Sequence, residues 1–235
     1  MDILVRETAT PETKAVEAAD CLICQSSGLR HFLRINERDY WRCDACGATF
    51  LDSRHWLNAE DERAQYMLHE NRAEDPGYRK FLGRLANPLC DALKPIQMGL
   101  DYGCGPIPVL AMMLEEAGHT MAHYDPFFHD DPRPLERCYD FVTASETVEH
   151  FYHPAQEFER LDEILKPGGC LAIMTCFQTD DARFADWHYR RDLTHVVFYA
   201  ERTFEVIAAI HGWSCRFPTK DIVLMQKPDS TDKTI

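Results

Sequence analysis

Four cysteines fall into two Cys-x-x-Cys pairs, Cys21/Cys24 and Cys43/Cys46, with eighteen residues between the pairs. Two such turns can bring four thiolates to the corners of a tetrahedron, the arrangement Zn²⁺ prefers. Four thiolates leave no open coordination position, so the spacing predicts a structural metal site and not a catalytic one. Gly47 follows the second pair directly, where a tight knuckle needs a residue tolerant of positive φ. A redox role for either pair is disfavoured, because no thioredoxin-like βαβ pattern surrounds it.

A second group of residues centres on Leu100-Asp101-Tyr102-Gly103-Cys104-Gly105-Pro106. Its glycines let the backbone pass close beneath a ligand, and a helix N-terminus following them would offer free N–H groups. Asp101, inside the strand end, is placed to accept a hydrogen bond from an ammonium group. Asp125 closes the next strand, where a carboxylate grips ribose hydroxyls. A third group is Glu146, Glu149 and His150, at i, i+3 and i+4; on the first turn of a helix all three would share a face. A fourth is Trp187-His188-Tyr189-Arg190-Arg191-Asp192-Leu193-Thr194-His195, whose histidines are candidate general bases. The alternative for this last segment is loop-pinning, with Arg190 paired to Asp192 and Trp187 packed.

These residues need elements to hold them. Short β-like runs are expected at 29–35 and 39–42, and helix-favouring sequence from 57 to 93 is interrupted at Asp75-Pro76-Gly77. Tyr78, Phe81, Leu82 and Leu85 recur at helical spacing, and Tyr66, His69 and Asn71 precede them as candidate pocket roof. After Lys94-Pro95 strands and helices alternate. Strands are read at 98–102, 120–124, 139–145, 170–175, 213–217 and 222–226, with helices at 109–117, around 158–165 and from 201 to 210. Such alternation predicts an α/β, doubly wound, mostly parallel sheet covered on both faces. In such folds ligands bind beyond the carboxyl ends of the strands, so the segment 187–195 should overlook the glycine loop. Cys176 in this region reads as a buried structural thiol.

The segment 100–106 resembles motif I of class I S-adenosylmethionine-dependent methyltransferases, acidic-x-Gly-x-Gly-x-Gly. His123-Tyr124-Asp125-Pro126 resembles that family's acidic second-strand end. Tyr139-Asp140-Phe141-Val142 with Ser145-Glu146-Thr147-Val148-Glu149-His150 resembles its fourth strand and following loop, and Leu165-Lys166-Pro167-Gly168-Gly169 the turn before its fifth. The resemblance covers roughly residues 96–227. It implies a sheet of about seven strands and S-adenosylmethionine as cofactor, bound by Asp101, Gly103, Gly105, Asp125, Pro126 and Glu146. Methyl transfer would then be served by His150, His188 or His195. Some magnesium-dependent relatives hold a divalent ion on an acidic-acidic-His pattern like Glu146, Glu149 and His150, which makes Mg a candidate cofactor with His195 as a fourth ligand; the alternative is that Glu146 borders the cofactor while Glu149 and His150 only cap and solvate the helix. Some sugar-modifying members also carry a preceding zinc ribbon. Two features depart from the family. Ile107 replaces the third glycine of motif I, and only fourteen residues separate Asp125 from Asp140, leaving little room for a third strand; Pro126, Phe127 and Phe128 are the candidates to cover the adenine instead. A nicotinamide dinucleotide fingerprint fits less well: its third glycine would be Pro108, and the Asp101 position would be apolar.

The division this predicts is a tail (1–20), a zinc ribbon (21–52), a helical linker (53–95), a cofactor-binding domain (96–227) and a second tail (228–235). Asp and Glu outnumber Lys and Arg by 39 to 25, for a net charge of −14 over 235 residues. That balance favours a small-molecule acceptor over nucleic acid, whose binding usually needs a basic face. No apolar run approaches a membrane span and no leader is evident, so the expected setting is cytoplasmic and reducing. Two other functions compete: a catalytically silent zinc-ribbon interaction protein that keeps the fold, and a methyltransferase acting on RNA. Oligomeric state is not readable.

Overall fold

The described residues begin with two cysteine turns flanking a hairpin. The structure, a computed structural model, describes residues 20–68 and 72–229. The first tail up to residue 19, the end of the second tail from 230, and His69 and Asn71 lie outside the described residues. Strands β1 (Arg30–Ile35) and β2 (Arg38–Arg42) pair antiparallel around Asn36 and Glu37, whose φ values of 50° and 64° are those a two-residue hairpin turn requires. Strand β3 (Thr49–Leu51) adds to β2, and every one of its residues is buried.

Helix α1 (Ala59–Tyr66) starts at Asn58, whose side chain accepts from the Glu60 and Asp61 backbone N–H groups. Helix α2 (Pro76–Cys90) starts where the Asp-Pro-Gly break was read, with Asp75 as cap and Pro76 in the first turn, where its missing N–H costs nothing. Leu82, Leu85 and Leu89 turn inward.

The central sheet is built from β4 (Met98–Tyr102), β5 (Thr120–Tyr124), β6 (Tyr139–Ser145), β7 (Leu165–Met174), β9 (Ser214–Thr219) and β10 (Ile222–Gln226), in the order β5-β4-β6-β7-β10-β9. The four strands from β5 to β7 are mutually parallel, and β10 alone is reversed, antiparallel to both β7 and β9. Strict alternation along β7 sends Cys170, Ala172 and Met174 to one face and Leu171 and Ile173 to the other. Helices α2 and α3 (Val109–Glu116) pack on the first face. Helices α4 (Pro154–Ile164) and α5 (Glu201–His211) pack on the second. The sheet is therefore α/β and doubly wound, as expected.

Two expectations are corrected. The sheet has six strands among the described residues and not seven, because a parallel crossover needs a dozen or more residues. The short stretch after Asp125 instead makes an Asp125–His129 bridge and a 3₁₀ turn at Arg133–Glu136. The Pro167-Gly168-Gly169 turn does not precede its strand but sits inside β7 as a bulge, where pairing jumps from Tyr139–Leu165 to Phe141–Cys170. A third feature was not read at all. Strand β8 (Val197–Phe198), just after His195, leaves the central sheet and completes a second sheet, β1-β2-β3-β8, with the cysteine-bearing unit.

Candidate functional site

The carboxyl ends of β4, β5 and β6 open into one cavity of about 740 Å³. Its floor is the glycine loop. Gly103 has φ 74°, and a Cβ there would lie 2.2 Å from the Thr147 side chain, so both conformation and space demand glycine. Asp101 is buried at the end of β4 and accepts from the Thr143 hydroxyl at 2.8 Å; burial pushes its carboxyl up to about 6. Asp125 accepts from the Gly105 N–H at 2.8 Å with one oxygen, and from the Phe127 and Phe128 N–H groups at 2.9 and 3.1 Å with the other. Its carboxylate thus closes the glycine loop against the turn behind β5, and a carboxylate's four acceptor sites leave room for one more donor. Pro126, Phe127 and Phe128 line the cavity beside it, whereas Ile107 is not among the lining residues. The departure at Ile107 therefore does not crowd the cavity.

The far wall carries the histidines. Glu149 is fully buried and accepts from the Tyr189 phenol and, at 3.0 Å, from the Thr175 hydroxyl. The Nδ1 of His195 bonds the Tyr189 carbonyl at 2.7 Å, and the Nδ1 of His150 bonds the Thr194 carbonyl at 3.1 Å. A carbonyl only accepts, so each Nδ1 is the donor and each neutral ring keeps its lone pair on Nε2. Those Nε2 atoms lie 4.0 and 3.9 Å from Glu149 Oε1. Burial, then the neighbouring His150, lowers His195 to about 4, so this buried imidazole is neutral at neutral pH. Asp192 accepts from the Thr194 N–H and hydroxyl at 2.9 and 2.6 Å, with its other oxygen 3.9 Å from His195. His188 also lines the cavity but is exposed.

Helices roof the cavity. Glu62 of α1 is buried and accepts from the Tyr66 phenol at 2.7 Å and the Tyr152 phenol at 2.8 Å. Tyr66 meets Phe127 and His150 edge-on, spanning both walls. Tyr78, Phe81 and Leu82 of α2 line the cavity as well.

Not all expected groupings form. Glu146 has φ 50°, and a 3₁₀ turn, Val148–His150, follows it, so the helical face shared by Glu146, Glu149 and His150 does not exist. Glu149, His150 and His195 gather their ligand atoms within 4.8 Å, and Glu146 is outside that group. Burial, then the Glu149 charge, raises the Glu146 carboxyl above the ordinary carboxylate range. Two imidazoles and one carboxylate suit a transition ion better than Mg²⁺, so the expected magnesium finds no support. Arg190 does not pair with Asp192; it donates to the Ala185 carbonyl at 2.9 Å and lies by Tyr40. Trp187 does pack, on Phe184, Tyr189 and Phe198. Cys176 is half-buried and lies past the end of β7.

Away from the cavity, Cys21, Cys24, Cys43 and Cys46 converge within 4.8 Å, with Cys21–Cys46 and Cys24–Cys43 sulfurs 3.6 Å apart. A tetrahedron with Zn–S bonds of 2.3 Å has S···S edges of about 3.8 Å. Each turn closes in the same way: Gln25 N–H to Cys21 O at 3.0 Å, and Gly47 N–H to Cys43 O at 2.8 Å. The quartet fits a zinc ion.

The signature of a methyltransferase domain matches residues 68–216, more than half of the chain. The chain belongs to the methyltransferase-domain family. The match begins before α2, so this family member counts among its matched residues the cavity wall of Tyr78 and Phe81. A stretch of 121 residues is 29% identical to a ubiquinone biosynthesis O-methyltransferase of Saccharophagus degradans, covering 50% of this chain and 48% of that protein. The chain thus aligns with about half the length of that curated relative. Among solved structures, a 1,6-didemethyltoxoflavin-N1-methyltransferase of Burkholderia thailandensis is 17% identical with a TM-score of 0.49, covering 86% of this chain and 99% of that one. A magnesium protoporphyrin IX methyltransferase of Synechocystis PCC 6803 is 12% identical with a TM-score of 0.48, covering 72% and 95%.

Several residues that hold the site went unread in the sequence: Glu62, Tyr152 and Tyr189 of the lining, and Thr175 behind it as a partner of Glu149. Tyr189 lay within the quoted histidine segment. Glu62 carries no such signal, because it sits among Glu60, Asp61 and Arg63 and only its burial distinguishes it.

Proposed function

We propose that this family member transfers a methyl group from S-adenosylmethionine to a small-molecule acceptor, with a structural zinc on Cys21, Cys24, Cys43 and Cys46. The observation that carries the reading is the continuity of one cavity from the glycine loop to a neutral, buried histidine. Asp101 takes the ammonium of the cofactor, Asp125 the ribose hydroxyls, Gly103 and Gly105 allow the close approach, and Pro126, Phe127 and Phe128 cover the adenine. Glu146 borders the sulfonium end. The charge agrees: beside Glu146, whose carboxyl is raised by burial, the cavity wall holds five acidic side chains (Glu62, Asp101, Asp125, Glu157 and Asp192) against Arg160. That field suits a cationic sulfonium and repels phosphate, so a small neutral or cationic acceptor fits better than RNA.

Transfer is an in-line displacement from the sulfonium, and the protein's work is to align the acceptor and take its proton. His195 is the base. Its Nδ1–H is fixed on the Tyr189 carbonyl, which leaves the lone pair on Nε2, and Glu149, 4.0 Å from that nitrogen, steadies the imidazolium once formed. His150 and His188 line the approach. The chain reads as a zinc ribbon (21–52), a helical linker (53–95) that also roofs the cavity, and a cofactor-binding domain (96–227). Among the described residues no helix is long and apolar enough to cross a membrane.

Calorimetric titration with S-adenosylmethionine should find one site per chain in both the wild type and His195→Ala. Formation of S-adenosylhomocysteine across a panel of hydroxyl and amine acceptors should fall roughly 10²–10⁴-fold in the variant. A wild type that does not bind the cofactor would leave the silent interaction protein as the better reading.

A further inference from the structure

The segment between β7 and α5, residues 175–200, carries His188, Tyr189, Asp192 and His195, yet it has only two 3₁₀ turns and the two-residue β8. A connection of that length needs outside support to hold a catalytic geometry. The support comes from the cysteine-bearing unit. Val196, next to His195, is held on both sides: its carbonyl accepts from the Leu51 N–H at 2.9 Å, and its N–H donates to the Glu149 carbonyl at 2.9 Å. Thr49 and Phe50 pair with Phe198 and Val197. The buried Thr49 hydroxyl donates to Gln178 Oε1 at 2.8 Å and accepts from Arg42 at 2.7 Å, and Arg42 reaches Asp181 at 2.6 Å. At the far end, the Thr203 hydroxyl of α5 donates to the Cys46 carbonyl at 3.0 Å. Two residues separate Cys46 from Thr49, so the knuckle leads directly into the strand that grips the segment.

We infer that the ribbon is the brace that positions His195 and Glu149, with Thr49 as a positioning residue. Metal on the cysteine quartet then governs the acceptor half of the cavity and leaves the cofactor half alone. The cofactor half is tied together by its own bonds, Asp101 to Thr143 and Asp125 to Gly105, Phe127 and Phe128. The inference rests on the methyl-transfer reading only for what His195 does; the bracing itself is a statement about backbone order.

The test is amide hydrogen exchange on the full chain, followed in segments 189–198 and 98–125, with zinc content measured on each sample. Thr49→Val removes both bonds of that hydroxyl, and a single hydrogen bond of ordinary net worth already corresponds to roughly three- to tenfold in local opening. Exchange in 189–198 should accelerate by that factor in Thr49→Val, stay near wild type in Thr49→Ser, and accelerate further in Cys24→Ser lacking zinc. Exchange in 98–125 and affinity for S-adenosylmethionine should not move, while the transfer rate falls. Unchanged exchange at 189–198 in Thr49→Val and Cys24→Ser overturns the brace, as does equal acceleration of both segments in Thr49→Val. If Cys24→Ser unfolds throughout, or if the wild type proves free of zinc, Thr49→Val against Thr49→Ser decides alone. Failure of the methyl-transfer reading shows separately, as a wild type that binds no cofactor while its exchange pattern still reports on the brace.

Discussion

Asp101 sits at the end of β4 with 3% of its surface exposed, and burial is the main reason its carboxyl titrates near 6 in place of 3.8. The folded chain therefore binds more protons at Asp101 than the unfolded chain does between those values. The stability this residue contributes is present below 3.8 and is lost as the pH rises through 6. His195 runs the other way: lowered from 6.5 to about 4, its contribution is present above 6.5 and lost as the pH falls through 4. The two partly cancel in thermal stability, so cofactor affinity is the cleaner readout. An ammonium needs the ionised Asp101, and below pH 6 the apparent Kd for S-adenosylmethionine should rise about tenfold per pH unit. Titrations at pH 7.5, 6 and 5 check this, and an affinity flat across that range would remove Asp101 from the ammonium site. The residue types in the cavity were legible in the sequence, but their bonding was not. Asp125 was read as a ribose ligand, and in the fold it first satisfies three backbone N–H groups. Its replacement by Ala would cost local structure as well as a ligand contact.

At the scale of elements, the parallel strands were readable because each is a short apolar run closed by a turn signal, and β4, β5 and β6 begin and end where periodicity placed them. Strand β8 was not. Two residues carry no period, and its partner, β3, is more than a hundred residues away in sequence. Helix α1 was legible as a helix and Tyr66 as part of a roof, but Glu62 was not, since this inward acid is held by phenols from Tyr66 and Tyr152 and not by an apolar stripe. The glycine loop is the element whose geometry is most constrained. Gly103→Ala places a methyl 2.2 Å from Thr147 and forces an L-residue to φ 74°. The expected cost is about 1–3 kcal/mol of stability, together with loss of cofactor binding. Denaturation midpoint and calorimetry measure both, and a variant that matches the wild type in each would contradict the close approach seen here.

Across the whole molecule, two sheets meet at one segment. The central sheet supplies the cavity floor from β4, β5 and β6, and the smaller sheet carries the strand that follows His195. Part of the net charge of −14 falls on the acidic side chains of the cavity wall, a field that would favour a cationic sulfonium there. The central claim is that one cavity orients S-adenosylmethionine with its methyl toward His195. A crystal structure with S-adenosylhomocysteine tests this most directly. The account predicts the homocysteine ammonium at Asp101, the ribose at Asp125, the adenine beside Phe127 and Phe128, and the sulfur facing His150 and His195. Adenine seated against the histidines, or the ligand bound outside this cavity, would contradict it.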